Sequence, residues 1–140
     1  MRAVIDNNVL VSGLLWGDKP GRVLTAVAEG RVQIFLSEEL LAELREVLRR
    51  RKFAARLALK GLTPEAALAK VHAVARLVPA SPIPAPPLLR DPDDLAVLAC
   101  AASAAVDVII TGDKDLLTLK VFEGIPIIDA AEALKRSGLS

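Results

Sequence analysis

The sequence predicts an α/β fold in which a central, mainly parallel sheet is covered by helices on both faces. Three observations point to it. Short apolar runs rich in β-branched residues recur at residues 2–5, 32–36, 107–111 and 125–128. Stretches with helical apolar spacing lie between them, which is the pattern of βαβ crossovers. The runs are almost continuously apolar rather than alternating, as strands buried on both faces are.

Local chemistry justifies each element in turn. Residues 2–5 end at the polar step Asp6-Asn7-Asn8 and read as a strand feeding a loop that carries Trp16, Gly17, Pro20 and Gly21. Residues 22–29 have helical spacing, Gly30 stops them, and residues 32–36 are the second strand. Ser37 caps a helix expected from Glu38 to about Arg51, followed by a helix over residues 53–59 and another from Thr63-Pro64 to about Arg76. Leu77 and Val78 are candidates for a short edge strand. Six of the nine prolines fall between Pro79 and Pro92, which predicts an extended surface connection. Asp91-Pro92 then opens a very apolar helix to about Ala105, residues 107–111 form the third main strand before Gly112 turns the chain, and residues 125–128 form the fourth.

The 140 residues, 53% hydrophobic and 25% charged, fit one globular domain over 1–140 and lie outside the disordered range. A single cysteine, Cys100, and a single histidine, His72, exclude an internal disulfide, the common zinc frameworks and His-dependent triads. Both read as packing residues in apolar helical segments, and the cysteine usage suggests a reducing, cytoplasmic setting. The longest apolar run, residues 95–106, falls short of the roughly 20 residues that cross a bilayer, and Asp6 interrupts the N-terminal apolar stretch, so neither a membrane span nor a signal sequence is expected.

The net charge of +1 conceals two opposed patches. Residues 45–60 carry seven bases (Arg45, Arg49, Arg50, Arg51, Lys52, Arg56, Lys60) and one acid, Glu46, a local +6. Residues 91–115 carry six acids and one base, Lys114, a local −5. The basic run reads either as a solvated helix end that complements its dipole or as a phosphate-tracking RNA-binding band centred on Arg49, Arg50, Arg51 and Lys52. With three Phe, one Trp and no Tyr, extensive base stacking is not expected.

Parallel α/β sheets place their chemistry at the carboxyl ends of the strands. Asp6 ends the first strand, Asp113 follows the third, and Asp91-Pro92-Asp93-Asp94 opens the helix leading into it. Each also has a plainer reading. Asp91 to Asp94 suit a helix start, Asp113 and Asp115 suit a turn and cap, and Asp6 has Asn7 and Asn8 as local partners. Along the Ser37-capped helix, Leu40, Leu41, Leu44, Val47 and Leu48 form one arc, and Glu43 lies at its border rather than opposite it. A solvated glutamate packed by its stem fits that position as well. Carboxylates gathered in one cleft raise one another's pKa unless a cation neutralises them, and Mg²⁺ or Mn²⁺ is the natural choice for oxygen ligands. Such a site suits phosphodiester hydrolysis.

VIDNNVLVSGLL, SEELLAELREVLRRRKF, DPDDLAVLACA and DVIITGDKDLL, in this order, resemble the PIN-domain family, specifically the VapC-like toxins of toxin–antitoxin modules. The resemblance spans nearly the whole chain. It implies a three-layer α/β/α PIN fold and a metal-dependent ribonuclease that hydrolyses RNA with metal-activated water. It also implies a homodimer and a cognate antitoxin that blocks the cleft. Carried over by motif, the catalytic acids are Asp6, Glu43, Asp94 and Asp113, with Asp6, Asp94 and Asp113 as the ligands of Mg²⁺ or Mn²⁺. Asp94 is preferred to Asp93 because Val97, Leu98 and Ala101 follow it at the motif's apolar spacing. Asn8 and Thr111 match supporting positions, and Asp115 a more variable accessory one. The chain departs from the family in placing Asn7 where Thr or Ser usually follows the first acid. A housekeeping RNA-processing nuclease would carry the same acids, and a non-catalytic RNA- or protein-binding module would not need all four. A haloacid-dehalogenase-like phosphatase is disfavoured, because its second Asp is replaced here by Asn8.

Overall fold

The computed structural model describes residues 1–87, 89 and 91–138. Strands β1 (Arg2–Ile5), β2 (Gln33–Leu36), β3 (Ala75–Leu77), β4 (Val108–Ile110), β5 (Val121–Phe122) and β6 (Ile125–Ile128) form one sheet in the order β3-β2-β1-β4-β6-β5. Every pairing is parallel except that of β5 with β6. The helices are α1 (Asn7–Leu15), α2 (Asp18–Ala28), α3 (Glu38–Leu48), α4 (Ala54–Leu59), α5 (Pro64–Val74), α6 (Pro92–Ala104), α7 (Lys114–Leu119) and α8 (Ala130–Arg136). No helix among the described residues is long and apolar enough to cross a membrane.

The chain steps outward from β1 to β2 and β3, then returns on the other side of β1 as β4. Right-handed crossovers running in opposite directions put their helices on opposite faces, giving three layers. α6, which makes the return, packs on β1, β2 and β4. The buried faces of β1 (Ala3, Val4, Ile5), β2 (Ile34, Phe35, Leu36) and β4 (Val108, Ile109, Ile110) form the centre of the core. The strand order reverses between β1 and β4, and a crevice opens at that point beyond the carboxyl ends of the two strands. Ile5 pairs with Ile110, so Asp6 and Thr111 leave the sheet side by side, tied by the Asp6 N–H to the Ile110 carbonyl at 2.9 Å.

Most expected boundaries hold within a residue or two. The helix expected to about Arg51 ends at Leu48, with a 3-10 turn over Arg51–Phe53, and the edge strand covers Ala75–Leu77. Of the proline-rich connection, residues 79–86 have no regular structure, and Ser81 N–H donates to Ser103 Oγ (3.1 Å), tying the segment to α6. Leu88 and Arg90 lie outside the described residues.

Five elements differ from expectation: α2 starts at Asp18, four residues before the expected Arg22, and takes Pro20 and Gly21, expected in a loop, into its first turn, where Pro is tolerated because the first N–H groups of a helix have no intrahelical partner. Residues 7–15, expected as a loop, form α1, and Trp16 is its C-terminal cap rather than a loop residue. α7, β5 and α8 lie where no element was expected. α1 escaped because Val9, Leu10, Val11 and Leu15 are all buried, between sheet and neighbouring helices, which erases the one-sided periodicity that betrays a surface helix. Cys100 is fully buried, and burial pushes its thiol up to about 11, consistent with packing. His72 is corrected: it is exposed on α5 rather than a core packing residue.

Candidate active site

The site is built from the ends of elements. Asp6 stands one residue beyond β1 and caps α1, its Oδ1 accepting from Asn8 N–H (3.2 Å). Its Oδ2 accepts from the Thr111 hydroxyl at 2.8 Å. That hydroxyl is fully buried and also accepts from Asp113 N–H at 3.0 Å, so one side chain fixes the first and last acids relative to each other. Burial raises the Asp6 carboxyl above its ordinary value; the Thr111 and Asn8 hydrogen bonds oppose this, and Asp113 and Asp91 add to it.

Asp113 caps α7, its Oδ1 accepting from Asp115 N–H (2.8 Å) and Leu116 N–H (3.1 Å). Asp91 caps α6 in the same manner, its Oδ1 accepting from Asp93 N–H at 2.9 Å. The capping reading therefore holds for both, and in Asp113 it coexists with membership of the cluster. Asp94, in the first turn of α6, is buried at 4% exposure, while Asp93 is exposed but lies within hydrogen-bonding reach of the Glu43 carboxyl. Asp94, Asp113 and Asp115 each offer a carboxylate oxygen within 4.8 Å of the others. Desolvation, then Asp113, Asp91, Asp6 and Asp115, raise the Asp94 carboxyl to about 7. Its Oδ2 is buried without a hydrogen-bond partner.

Glu43 enters from α3, half-buried at the border of the apolar arc as the spacing predicts. Asn7 Nδ2 donates to Glu43 Oε1 (2.7 Å) and to the Leu40 carbonyl (2.9 Å), while Asn7 Oδ1 is buried and unpartnered. Burial pushes Glu43 up to about 7, with Asn7 lowering it and Asp93 and Asp6 raising it. Asn7 thus faces α3 and orients Glu43.

A cleft of about 600 Å³ adjoins the acids, walled by Asn8, Ser12, Lys19, Thr111, Asp113 and Asp129. Lys19 and Asp129 were not anticipated. Asp129 had the same signal as Asp6, an acid directly after an apolar strand, and it caps α8 by accepting from Glu132 N–H at 2.9 Å. Lys19 had none, because it sits in a stretch expected as loop. Arg49, Arg50, Arg51 and Lys52 lie outside the cluster, exposed past the C-terminal end of α3. Arg49 is partly spent on Glu65, at 3.2 Å.

The family model of the PIN domain matches residues 2–115. The chain belongs to the PIN-domain family. Its PIN fold is also similar to a crystal structure of VapBC2 from Rickettsia felis bound to a DNA fragment from their promoter, with a TM-score of 0.61 and 13% identity. That alignment covers 92% of this chain and 98% of the other. No curated protein matches it. Within this PIN domain, two of the matched segments converge at the β1–β4 switch point: the one bearing Asp6 and the one bearing Thr111 and Asp113. Glu43 and Asp94 reach the same crevice from α3 and α6, which pack against each other.

The donor set suits a hard divalent cation. All candidate donors are carboxylate oxygens, one buried oxygen lacks a partner, and the field of the remaining acids is negative. The ion pairs Arg31–Glu29, Arg49–Glu65 and Arg136–Glu132 lie elsewhere.

Proposed function

We propose that this PIN domain is a metal-dependent endoribonuclease acting as the toxin of a toxin–antitoxin module. The observation that carries the reading is the approach of Asp94, Asp113 and Asp115 to within 4.8 Å, next to Asp6, at the switch point of the sheet. Family membership supports a nuclease, and the Rickettsia felis VapBC2 likeness supports a toxin with an antitoxin partner.

Asp94 and Asp113 would hold Mg²⁺ or Mn²⁺, with Asp115 from the same three-acid group and Asp6, outside that group but beside it, as the further carboxylates. When bound, the cation supplies Lewis-acid polarisation of the phosphate and lowers the pKa of water. Thr111 fixes Asp6 and supports the backbone of Asp113, which would hold these carboxylates in place for an ion. Glu43, oriented by Asn7 and raised above the ordinary carboxylate range by burial, would take the proton of the attacking water. Lys19 and Asn8 on the cleft wall receive the RNA backbone. The protein acts as a homodimer in the cytoplasm, and an antitoxin that presents a guanidinium to these carboxylates silences it.

RNA cleavage by the purified protein tests this directly. Mg²⁺ or Mn²⁺ should support cleavage and EDTA abolish it, and Asp6→Asn and Asp113→Asn should each reduce it to background. Cleavage in EDTA, or full activity in both variants, removes the site.

A further inference from the structure

The aromatic and basic residues at the far end of α1, exposed at Trp16 and Lys52 and half-buried at Phe53 and Arg56, do not enter the carboxylate site. Trp16 is 48% exposed. Phe53 meets it edge-on, with ring centroids 5.9 Å apart and planes at 71°. The Arg56 guanidinium lies 5.6 Å from the Trp16 ring centroid and is fixed there by Nε donating to the Leu15 carbonyl at 2.7 Å. Lys52 Nζ lies 5.1 Å from the Phe53 ring centroid. Two aromatic rings and two cations therefore form one surface group, joined in sequence to Arg50 and Arg51.

Its position relative to the acids follows from two contacts. At one end, Asn7 of α1 holds Leu40 and Glu43 of α3. At the other, the end of α1 holds Phe53 and Arg56, just past α3. The two helices run in the same sense, from the carboxylates to the aromatic group. Ten residues at 1.5 Å per residue put Trp16 about 15 Å from Asp6.

We propose that Trp16 and Phe53, flanked by Lys52 and Arg56, form a stacking subsite for an unpaired base of single-stranded RNA whose backbone continues along α1 to the carboxylates. An exposed indole offers a π-face to any base, and the cations beside it match the adjoining phosphates. The local charge of +6 over residues 45–60 favours a polyanion as the occupant. The subsite rests on the ribonuclease reading and adds to it a contact to one base remote from the carboxylates.

Trp16 is the chain's only tryptophan, so its emission reports on the subsite alone. With EDTA present to prevent cleavage, a short single-stranded oligoribonucleotide should quench it saturably, and an abasic oligomer of equal length should not. Trp16→Leu should weaken binding of the base-bearing oligomer about tenfold and leave abasic binding unchanged. Trp16→Phe should retain most of the difference between the oligomers, which separates loss of stacking from loss of fold. Equal binding of both oligomers by parent and Trp16→Leu overturns the subsite. So does emission that responds only to protein concentration, which assigns the surface to a second copy. A parent that cuts RNA with Mg²⁺ but shows no base dependence loses the subsite and keeps the nuclease. One that shows base-dependent quenching but cuts nothing keeps the subsite and loses the nuclease.

Discussion

Asn7 commits both amide protons to α3, one to the Leu40 carbonyl and one to Glu43. A hydrogen bond to the ionised carboxylate favours that form, so Asn7 restrains a pKa that burial and Asp93 drive to about 7. Asn7→Ala should move the acidic limb of the kcat/KM profile for RNA cleavage upward by about one pH unit; an unmoved limb denies Glu43 the role of base. That Asn7 departs from the family pattern is visible in sequence, but its partner is not, because Glu43 lies 36 residues away and meets it only once α1 and α3 pack. Asp94 carries a second prediction. Its folded pKa of about 7 lies above an unfolded value of roughly 3.9. Between those values the folded chain keeps a proton that the unfolded chain has released, so metal-free stability falls as pH rises through that window. Asp6 and Glu43 are shifted the same way. Thermal denaturation in EDTA should show Tm falling from about pH 4 to about pH 7, more shallowly for Asp94→Asn. Mg²⁺ should restore the parent at neutral pH and not the variant. A Tm in EDTA that climbs over that interval contradicts the assignment.

Whole elements were legible wherever their ends carry chemistry. Ser37, Thr63-Pro64 and Asp91-Pro92 each announce a helix, and the structure shows the side chain of Ser37, Thr63 and Asp91 accepting from Leu40, Ala66 and Asp93 N–H. α8 had comparable signals in Asp129 and Glu132 but is short, as is α7, and neither offers two turns of apolar spacing. α1 was hidden for a different reason, burial on several sides, and Gly13 shows how tightly it is held. A Cβ there would lie 2.6 Å from Leu24 Cδ1 and 2.8 Å from the Pro20 carbonyl oxygen. Leu24 can turn aside; the Pro20 backbone cannot without shifting the start of α2. Replacing glycine within a helix ordinarily gains about 0.5–1 kcal/mol, whereas overpacking costs about 1–3 kcal/mol. Gly13→Ala should therefore be less stable, by about 1 kcal/mol in urea unfolding, and a variant more stable than the parent would show that α1 and α2 are not in close contact.

At the scale of the whole molecule, alternation of strands and helices was enough to predict a parallel sheet, but not its order. The reversal between β1 and β4 depends on which side of β1 the chain returns to, and a single sequence does not encode that in any local pattern. The reversal brings together acids from residues 6, 94 and 113, while the bases of residues 49–52 leave from the end of α3, roughly 10 Å along its axis from Glu43. The net charge of +1 is thus a sum over separated regions, and on the proposed ribonuclease reading an RNA approaching the acids would meet the bases nearby. The salt dependence of binding tests this separation. Arg49 is shared with Glu65, so the members without an ion pair among the described residues, Arg50, Arg51 and Lys52, represent the band best, Lys52 lying over the Phe53 ring as well. If all three face phosphates, changing them together to glutamate should flatten the slope of log affinity against log salt by about 2 for single-stranded RNA, since each neutralised phosphate contributes about 0.7. Maximal cleavage at saturating RNA should stay within a few-fold of the parent, because the bases act on capture and the acids on chemistry. An unchanged slope would leave these residues as a solvated helix end, and a collapse of the maximal rate at an unchanged slope would place them in the reaction itself.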